Sequence, residues 1–417
     1  MTTVLIFPPE KIKSVSLQLS GSKSISNRLL ILREVLQTTF PIHNLSDSED
    51  TRLLVQVLNE LKNKKSLNFN VNHAGTDLRF LTAFLAARPG GPYILSGSER
   101  LKQRPIAELV NALRQLGGTI HYLEKEAYPP LQIFGNQLKG GKIEVRADIS
   151  SQFISALLLI SPLLPQGLEL VLDGNTVSQP YIMMSSELLK TYGIACDFQG
   201  NTIRVQAAQA HDPSAQAYTV ESDWSSASYW FSVCALTEGA KIHLKYLNSQ
   251  SLQADRRLLE LYDGLGVKAE FDKDTLILSH APVTIREFSG DFVSCPDLAP
   301  TLACTCLGLN INARLTGLKT LQLKESRRID VLKTELEKFG ATVRTSDNHL
   351  ELIPPHKKPV DTIRVSTHHD HRMAMSFAPL SIVYPGLQIE DPNVVNKSYP
   401  RFWEDLQSLG FRLNLQS

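Results

Sequence analysis

The octapeptide Gly21-Ser22-Lys23-Ser24-Ile25-Ser26-Asn27-Arg28 sets two cations and four small hydrogen-bonding side chains directly ahead of the apolar run Leu29-Leu30-Ile31-Leu32. Backbone N–H groups at a helix start lack intrahelical partners and carry about half a positive charge, so Lys23, Arg28 and the serines suit a phosphate or carboxylate. An ordinary Ser-capped helix with solvated charges is the competing reading. A P-loop is excluded, because Ser22 and Leu17 stand where its two glycines belong.

Other residue types of chemical interest lie far along the chain. Arg79, Arg104, Lys324, Arg328, Arg372 and Lys397 add cations. Lys324 and Arg328 are spaced for one helical turn, where like charges cost about 0.2–0.5 kcal/mol, and Arg327 adds a third cation. Either a bound dianion neutralises them or they form a solvated basic face. Asp297 and Glu325 sit at or beside helix starts in different repeats, and two carboxylates from separate elements can divide acid and base work if their surroundings separate their pKa values. Asp297 by itself also fits a helix cap. Ser178 and Tyr181 read as a strand-end hydroxyl pair or as turn residues around Pro180. In Asp370-His371-Arg372, Asp370 fits a cap followed by two surface residues, although Met373-Ala374-Met375 leads at once into an apolar helix.

The elements that must position these residues repeat. A helix-ending glycine followed by a β-rich run recurs at Gly117, Gly193, Gly266, Gly340 and Gly410, steps of 76, 73, 74 and 70 residues by subtraction. Polar helix starts at Thr76, Ser151, Ser226, Asp297 and Asp370 keep the same step, at 75, 75, 71 and 73 residues. A period this long is an internal duplication of one β/α unit. The Gly21 segment makes a sixth start, but Ser22 to Thr76 spans only 54 residues, so the first unit is shortened or permuted. The runs behind the starts, such as Phe153–Ile160 and Tyr229–Leu236, are too uniformly apolar for surface helices and read as buried central ones. Six such helices can present their N-termini to a common face, and six units divide into two groups of three with a cleft between them.

Length and composition agree with this organisation. A chain of 417 residues exceeds the roughly 250–300 at which one core stops growing. A formal net charge of +1 offers no global field for nucleic acid. Cys196, Cys234, Cys295, Cys304 and Cys306 are odd in number and lack a CxxC pair, which fits buried thiols in a reducing compartment. No metal-ligand spacing accompanies His368, His369 and His371. The longest apolar stretch, Ile154–Leu164, is too short to cross a bilayer and contains Pro162.

Together these segments closely resemble the 5-enolpyruvylshikimate-3-phosphate synthases across essentially the whole chain. The resemblance rests, in order, on Gly21 to Arg28, Ala74-Gly75-Thr76 with Arg79, Arg104-Pro105-Ile106, Ser150-Ser151-Gln152-Phe153, Ser178 with Pro180-Tyr181, and Asp223 with Ser225-Ser226-Ala227-Ser228-Tyr229. It continues through Pro296-Asp297, Lys324-Glu325-Ser326 with Arg328, Asp370 to Met375, and Lys397 before Pro400. It implies an α/β fold, a two-lobed inverted α/β barrel of six βαβαββ units, three per lobe, that closes on its substrates. One lobe would hold residues 21–220 and the other residues 1–20 plus 221–417. By the same resemblance Ser24, Arg28, Ser150, Ser151, Ser178, Tyr181 and Asp297 hold shikimate-3-phosphate. Lys23, Gly75, Arg104, Gln152, Arg328, Arg372 and Lys397 hold phosphoenolpyruvate, and Lys324 reaches between the two.

The implied catalytic residues are Lys23, Asp297 and Glu325: Asp297 takes the proton of the attacking hydroxyl, and Glu325, with Lys23 or Lys324, manages the proton at C3. The implied protein is a cytoplasmic monomer of chorismate and aromatic amino-acid biosynthesis that needs no metal or organic cofactor and binds neither nucleic acid nor membrane. It belongs to the class of glyphosate targets. The sister transferase acting on UDP-N-acetylglucosamine usually shows Lys-Asn rather than Lys23-Ser24 and lacks Asp-His-Arg-Met-Ala-Met. A binding-only paralogue finds support only in Thr320 and Arg327. This chain departs from the family pattern at His73 and Thr320, where Asn is usual, at Arg327, where Asp is usual, and at Phe80, where Pro is common.

Overall fold

The computed structural model describes residues 2–12, 14–146, 150–174, 178–207 and 216–416. The chain divides into two compact units. The terminal unit comprises Met1–Ser20, Asp47–Glu49 and Glu221–Ser417, and the central unit comprises Gly21–Ser46 and Asp50–Val220.

In the central unit the buried helices Lys23–Val35, Gly75–Ala87 and Ser151–Ile160 pack on one another. The sequence of the last, SQFISALLLI, leaves only Gln152 short of burial, so no face remains for water. In the terminal unit Ala299–Gly308 packs against both Trp224–Leu236 and His371–Phe377. The five cysteines are buried and unpaired.

One sheet pattern recurs. Asn68–Asn70 runs parallel to Gly90–Ser96, which pairs antiparallel with Leu131–Gly135, which pairs antiparallel with Thr119–Tyr122. The same order joins Gly141–Arg146, Leu168–Asp173, Thr202–Val205 and Cys196–Gln199. Leu168–Asp173 alternates buried and half-exposed positions, as a strand with one face on the core must. Among the described residues the terminal unit has three four-stranded sheets of this kind, and the central unit has two plus a two-stranded one.

The short first interval of the repeat has a topological cause. Val15–Gln18 precedes the Lys23–Val35 helix but pairs with Lys241–Lys245, while Tyr218–Thr219, which precedes the Trp224–Leu236 helix, pairs with Ile42–His43. Two repeats have exchanged their leading strands, which is why the chain passes from one compact unit to the other after Ser20 and returns after Val220. The last unit is permuted as well. Thr3–Phe7 lies between Leu387–Glu390 and Arg412–Gln416, filling the third position that the C-terminal segment leaves open.

Four of the recurrent glycines follow helices in left-handed conformation, Gly117 at φ 98°, Gly193 at 78°, Gly340 at 81° and Gly410 at 102°. Gly266 differs: it is at φ 84° inside the strand Leu265–Asp272, where the pairing with Thr275–Val283 shifts register. The repeat survives there as a bulge instead of a cap.

Candidate active site

The terminal unit gathers six charged side chains around Arg328, which is 1% exposed. Its guanidinium donates from Nε and Nη2 to the two oxygens of Asp370 at 2.9 and 3.1 Å, from Nη1 to Asp297 Oδ1 at 2.9 Å, and from Nη2 to Glu325 Oε2 at 2.9 Å. Lys397 Nζ donates to the other Glu325 oxygen at 2.9 Å, and Lys324 Nζ lies 3.4 Å from Asp297 Oδ1. Arg372 Nη2 donates to Asp297 Oδ2 at 3.1 Å. Four cations against three carboxylates leave one formal positive charge in the group.

Local structure explains how residues from two repeats meet; Asp297 and Glu325 belong to the same repeat, the one built on the sheet that contains Glu287–Asp291, and not to different ones. Asp297 lies in the turn Pro296–Leu298 that opens the Ala299–Gly308 helix. Lys324 and Glu325 lie between the turn Lys319–Leu323 and the helix Arg328–Glu337. Lys397 ends the turn Pro392–Lys397. Asp370 caps His371–Phe377 by accepting the Arg372 N–H at 3.0 Å, and Ser326 donates to it at 2.9 Å. Burial opposes the Arg328 charge, but Asp370, Asp297 and Glu325 outweigh it and push its pKa above the ordinary value. Burial would raise the Asp297 pKa, yet Arg372, Lys324 and Arg328 hold it well below the usual carboxylate range.

Several expectations need correction here. Lys324 and Arg328 do not share a helix, since the helix begins at Arg328, and the protein's own carboxylates neutralise them. No bound dianion is required for that. Asp297 spends its side chain on cations instead of a cap. His371 and Arg372 are not surface residues, at 3% and 8% exposure, although Asp370 does cap. Arg327 points outward and pairs with Asp330 at 2.7 Å, away from Glu325. Thr320 leaves its buried Oγ1 without a hydrogen-bond partner among the described residues.

In the central unit the focal group is Arg28, 3% exposed. It donates to Ser185 Oγ at 2.9 Å, Ser155 Oγ at 3.1 Å, the Ser24 carbonyl at 2.8 Å and the Tyr181 carbonyl at 3.2 Å. Its guanidinium lies 5.3 Å from the Phe80 ring centroid and 6.0 Å from that of Tyr181. Among the described residues no carboxylate pairs with it, and burial lowers its pKa to about 10. A buried cation with only neutral acceptors is suited to an anion from outside.

The neighbouring starts are built from the same materials. Ser150 caps the Ser151–Ile160 helix by accepting the Gln152 N–H at 3.3 Å, and Gln152 Nε2 donates to Thr76 Oγ1 at 3.1 Å. A Cβ at Gly75 would overlap the Arg104 guanidinium, so glycine is what lets that cation lie on the helix start. Lys23 Nζ is 3.2 Å from Asp50 Oδ2. Ser178 and Tyr181 are neither a strand end nor a plain turn: Ser178, left-handed at φ 52°, is the N-cap of the Gln179–Thr191 helix, and Tyr181 is in its first turn. His73 meets Ser98 Oγ through Nδ1 at 2.8 Å. Ser155, Ser185 and Asp50 escaped the sequence reading. Ser155 and Ser185 carry a weak signal, each lying four residues after Ser151 and Tyr181 on the same helix face.

Among the described residues, no helix is long and apolar enough to cross a membrane. A sequence profile of EPSP synthase (3-phosphoshikimate 1-carboxyvinyltransferase) matches residues 8–406. A 3-phosphoshikimate 1-carboxyvinyltransferase of Bacteroides fragilis is 41% identical over 99% of this chain and 98% of its own. One from Klebsiella pneumoniae is 32% identical over 94% and 95%. The fold is that of EPSP synthase from Acinetobacter baumannii, with a TM-score of 0.79, 21% identity and complete coverage of both chains. The enolpyruvyl transferase NikO from Streptomyces tendae shares it at a TM-score of 0.72 and 15% identity, over 100% of this chain and 99% of its own. The two ion-lined helix-start clusters therefore sit in a known frame, the two-lobed inverted α/β fold, and with 41% identity along nearly its full length the chain belongs to the EPSP synthase family.

Proposed function

We propose that the protein transfers the enolpyruvyl group of phosphoenolpyruvate to the 5-hydroxyl of shikimate-3-phosphate and releases phosphate, a step of chorismate and aromatic amino-acid biosynthesis. The observation that carries this reading is Arg28, a buried cation with hydroxyl and carbonyl partners but no carboxylate among the described residues. In the central unit Ser24, Arg28, Ser150, Ser151, Ser178 and Tyr181 take shikimate-3-phosphate, and Lys23, Gly75, Arg104 and Gln152 take phosphoenolpyruvate. In the terminal unit Arg328, Arg372 and Lys397 take phosphoenolpyruvate, Asp297 the shikimate hydroxyl, and Lys324 reaches both. The enzyme works as a cytoplasmic monomer without metal or organic cofactor.

The reaction is addition followed by elimination. The 5-oxygen bonds to C2 of phosphoenolpyruvate, its proton goes to Asp297, and C3 gains a proton managed by Glu325 with Lys23 or Lys324. The C2–O bond to phosphate then breaks as C3 gives the proton back. The cations that hold Asp297 ionised also make it a weak base. Substrate phosphate and carboxylate engaging Arg372, Arg328 and Lys324 loosen that hold, so anion binding strengthens the base. The test is phosphate release from phosphoenolpyruvate that depends on shikimate-3-phosphate. Release supported by UDP-N-acetylglucosamine instead, or by neither acceptor, overturns the reading.

Gly75 makes a separate prediction. In Gly75→Ala the methyl pushes the flexible end of Arg104 aside without touching the fold. The KM for phosphoenolpyruvate then rises about tenfold or more, because small misplacements of a positioning cation are costly. Unfolding stability changes by less than about 1 kcal/mol. An unchanged KM would remove Arg104 from the site.

A further inference from the structure

Asp255 is a buried carboxylate, 2% exposed, on the turn Ala254–Arg257 of the terminal unit. Its Oδ2 accepts from the Ser225 hydroxyl, and its Oδ1 is buried without a hydrogen-bond partner among the described residues. Ser225 is in the first turn of Trp224–Leu236, whose cap Asp223 accepts the Ser226 N–H at 2.8 Å. Arg372 Nη2 donates to Ser225 Oγ at 3.3 Å and to Asp297 Oδ2 at 3.1 Å, and its Nη1 is 3.5 Å from the Asp297 carbonyl.

A hydroxyl has one proton and two lone pairs. With its proton committed to Asp255, Ser225 can meet Arg372 only as an acceptor. Nη2 is thereby held between Ser225 Oγ and Asp297 Oδ2, and because a guanidinium is planar, fixing that nitrogen together with Nη1 fixes the plane. If Asp255 takes a proton, the Ser225 hydroxyl is no longer anchored by an anion and can rotate, so its lone pair faces Nη2 less firmly.

We propose that Asp255 and Ser225 are positioning residues for Arg372, with Asp255 acting through the Ser225 hydroxyl to orient the guanidinium toward the substrate anion. This rests on the reading of Arg372 as a phosphoenolpyruvate-binding cation. The groups that face Asp255 are consistent with a carboxyl that changes charge near neutrality. Burial raises its pKa to about 6; Arg372 opposes the rise, while Asp297 and Asp223 add to it, and Cys295 also faces it.

The experiment is steady-state kinetics of shikimate-3-phosphate-dependent phosphate release with the full chain, comparing wild type, Ser225→Ala, Asp255→Ala and Asp255→Asn. Ser225→Ala and Asp255→Ala should raise the KM for phosphoenolpyruvate about tenfold while kcat changes less than about threefold, the signature of lost uniform binding. Asp255→Asn keeps an amide oxygen to accept the hydroxyl proton and should restore most of the affinity. In wild type the KM should rise as pH falls from 7 to 5.5, through the Asp255 pKa of about 6, and the rise should be smaller in Asp255→Asn, which keeps only the part caused by protonation of the substrate phosphate at about pH 6. Stability gives a readout independent of turnover. Because the folded pKa is raised, ionisation of Asp255 costs stability as pH rises through about 6. Asp255→Asn should therefore be at least as resistant to urea as wild type at pH 7.5, and lose that advantage near pH 5. If Asp255→Ala does not fold, Ser225→Ala decides. A KM within twofold of wild type in Ser225→Ala overturns the proposal, as does an unchanged pH profile in Asp255→Asn. Absence of phosphate release from wild type overturns the functional reading instead.

Discussion

Replacing Arg328 with Met lowers the unfolding free energy by about 3–5 kcal/mol, the usual cost of removing one side of a buried ionic group. Met fills the volume and removes the fork, so Asp370, Asp297 and Glu325 lose the donor that all three share. Lys324, Arg372 and Lys397 still neutralise part of their charge, which keeps the loss from growing further. Arg328→Lys returns the charge but reaches one carboxylate at a time, so it recovers only part of the stability. Urea unfolding at pH 7.5 measures both. A loss below about 1 kcal/mol in Arg328→Met would show that the carboxylates are held without it. The deficit has a pH sign as well. The folded pKa of Asp297 is depressed, so its contribution is present above the ordinary carboxylate range and fades as pH falls through the folded value. Wild type and Arg328→Met therefore converge on acidification. Turnover in the variant falls by at least about 10²–10³, since Asp297 and Glu325 lose their placement as well as the cation.

The same cluster shows what a sequence can and cannot disclose. Helix starts were legible because each couples a polar capping residue to a run too apolar to face water, as Ser150 does before Phe153–Ile160. The repeat was legible because left-handed glycines such as Gly117 and Gly340 recur where few other residues fit. Strand exchange was not legible in the local pattern; only the family resemblance, which puts residues 1–20 with residues 221–417, pointed to it. Val15–Gln18 has the same local pattern whether it pairs near its own helix or with Lys241–Lys245, and only non-local packing decides. The resemblance named Lys324, Glu325 and Arg328, but their spacing suggested a helical turn that begins only at Arg328. Asp370 lies 42 residues from Arg328, so no local rule marks it as the main counter-ion of that cation. Asp255 carries no sequence signal at all; its importance comes from a hydroxyl thirty residues away that leaves its proton nowhere else to go. Charges and caps are thus readable one residue at a time, whereas the pairing of charges belongs to the topology.

Lys23→Met separates the chemical role of Lys23 from its structural one. Lys23 is the first residue of the Lys23–Val35 helix, its side chain 20% exposed, and Asp50 Oδ2 lies 3.2 Å from Nζ. A partly exposed pair contributes little, so the variant loses on the order of 1 kcal/mol of stability. Asp50 is 7% exposed on its side chain, and that loss is mainly its burial without the ammonium. The double variant Lys23→Met with Asp50→Asn removes the orphaned charge and returns the stability, as the coupling of neighbours requires. Turnover behaves differently. On the proposed function the ammonium at this helix start meets the charge that builds on phosphoenolpyruvate and the departing phosphate, and losing it lowers phosphate release by about 10²–10⁴-fold. Asp50→Asn cannot restore this, because the missing group is the cation itself. A double variant that regained turnover together with stability would make Lys23 a structural partner of Asp50 only. A double variant that is stable but inactive assigns Lys23 to the substrate.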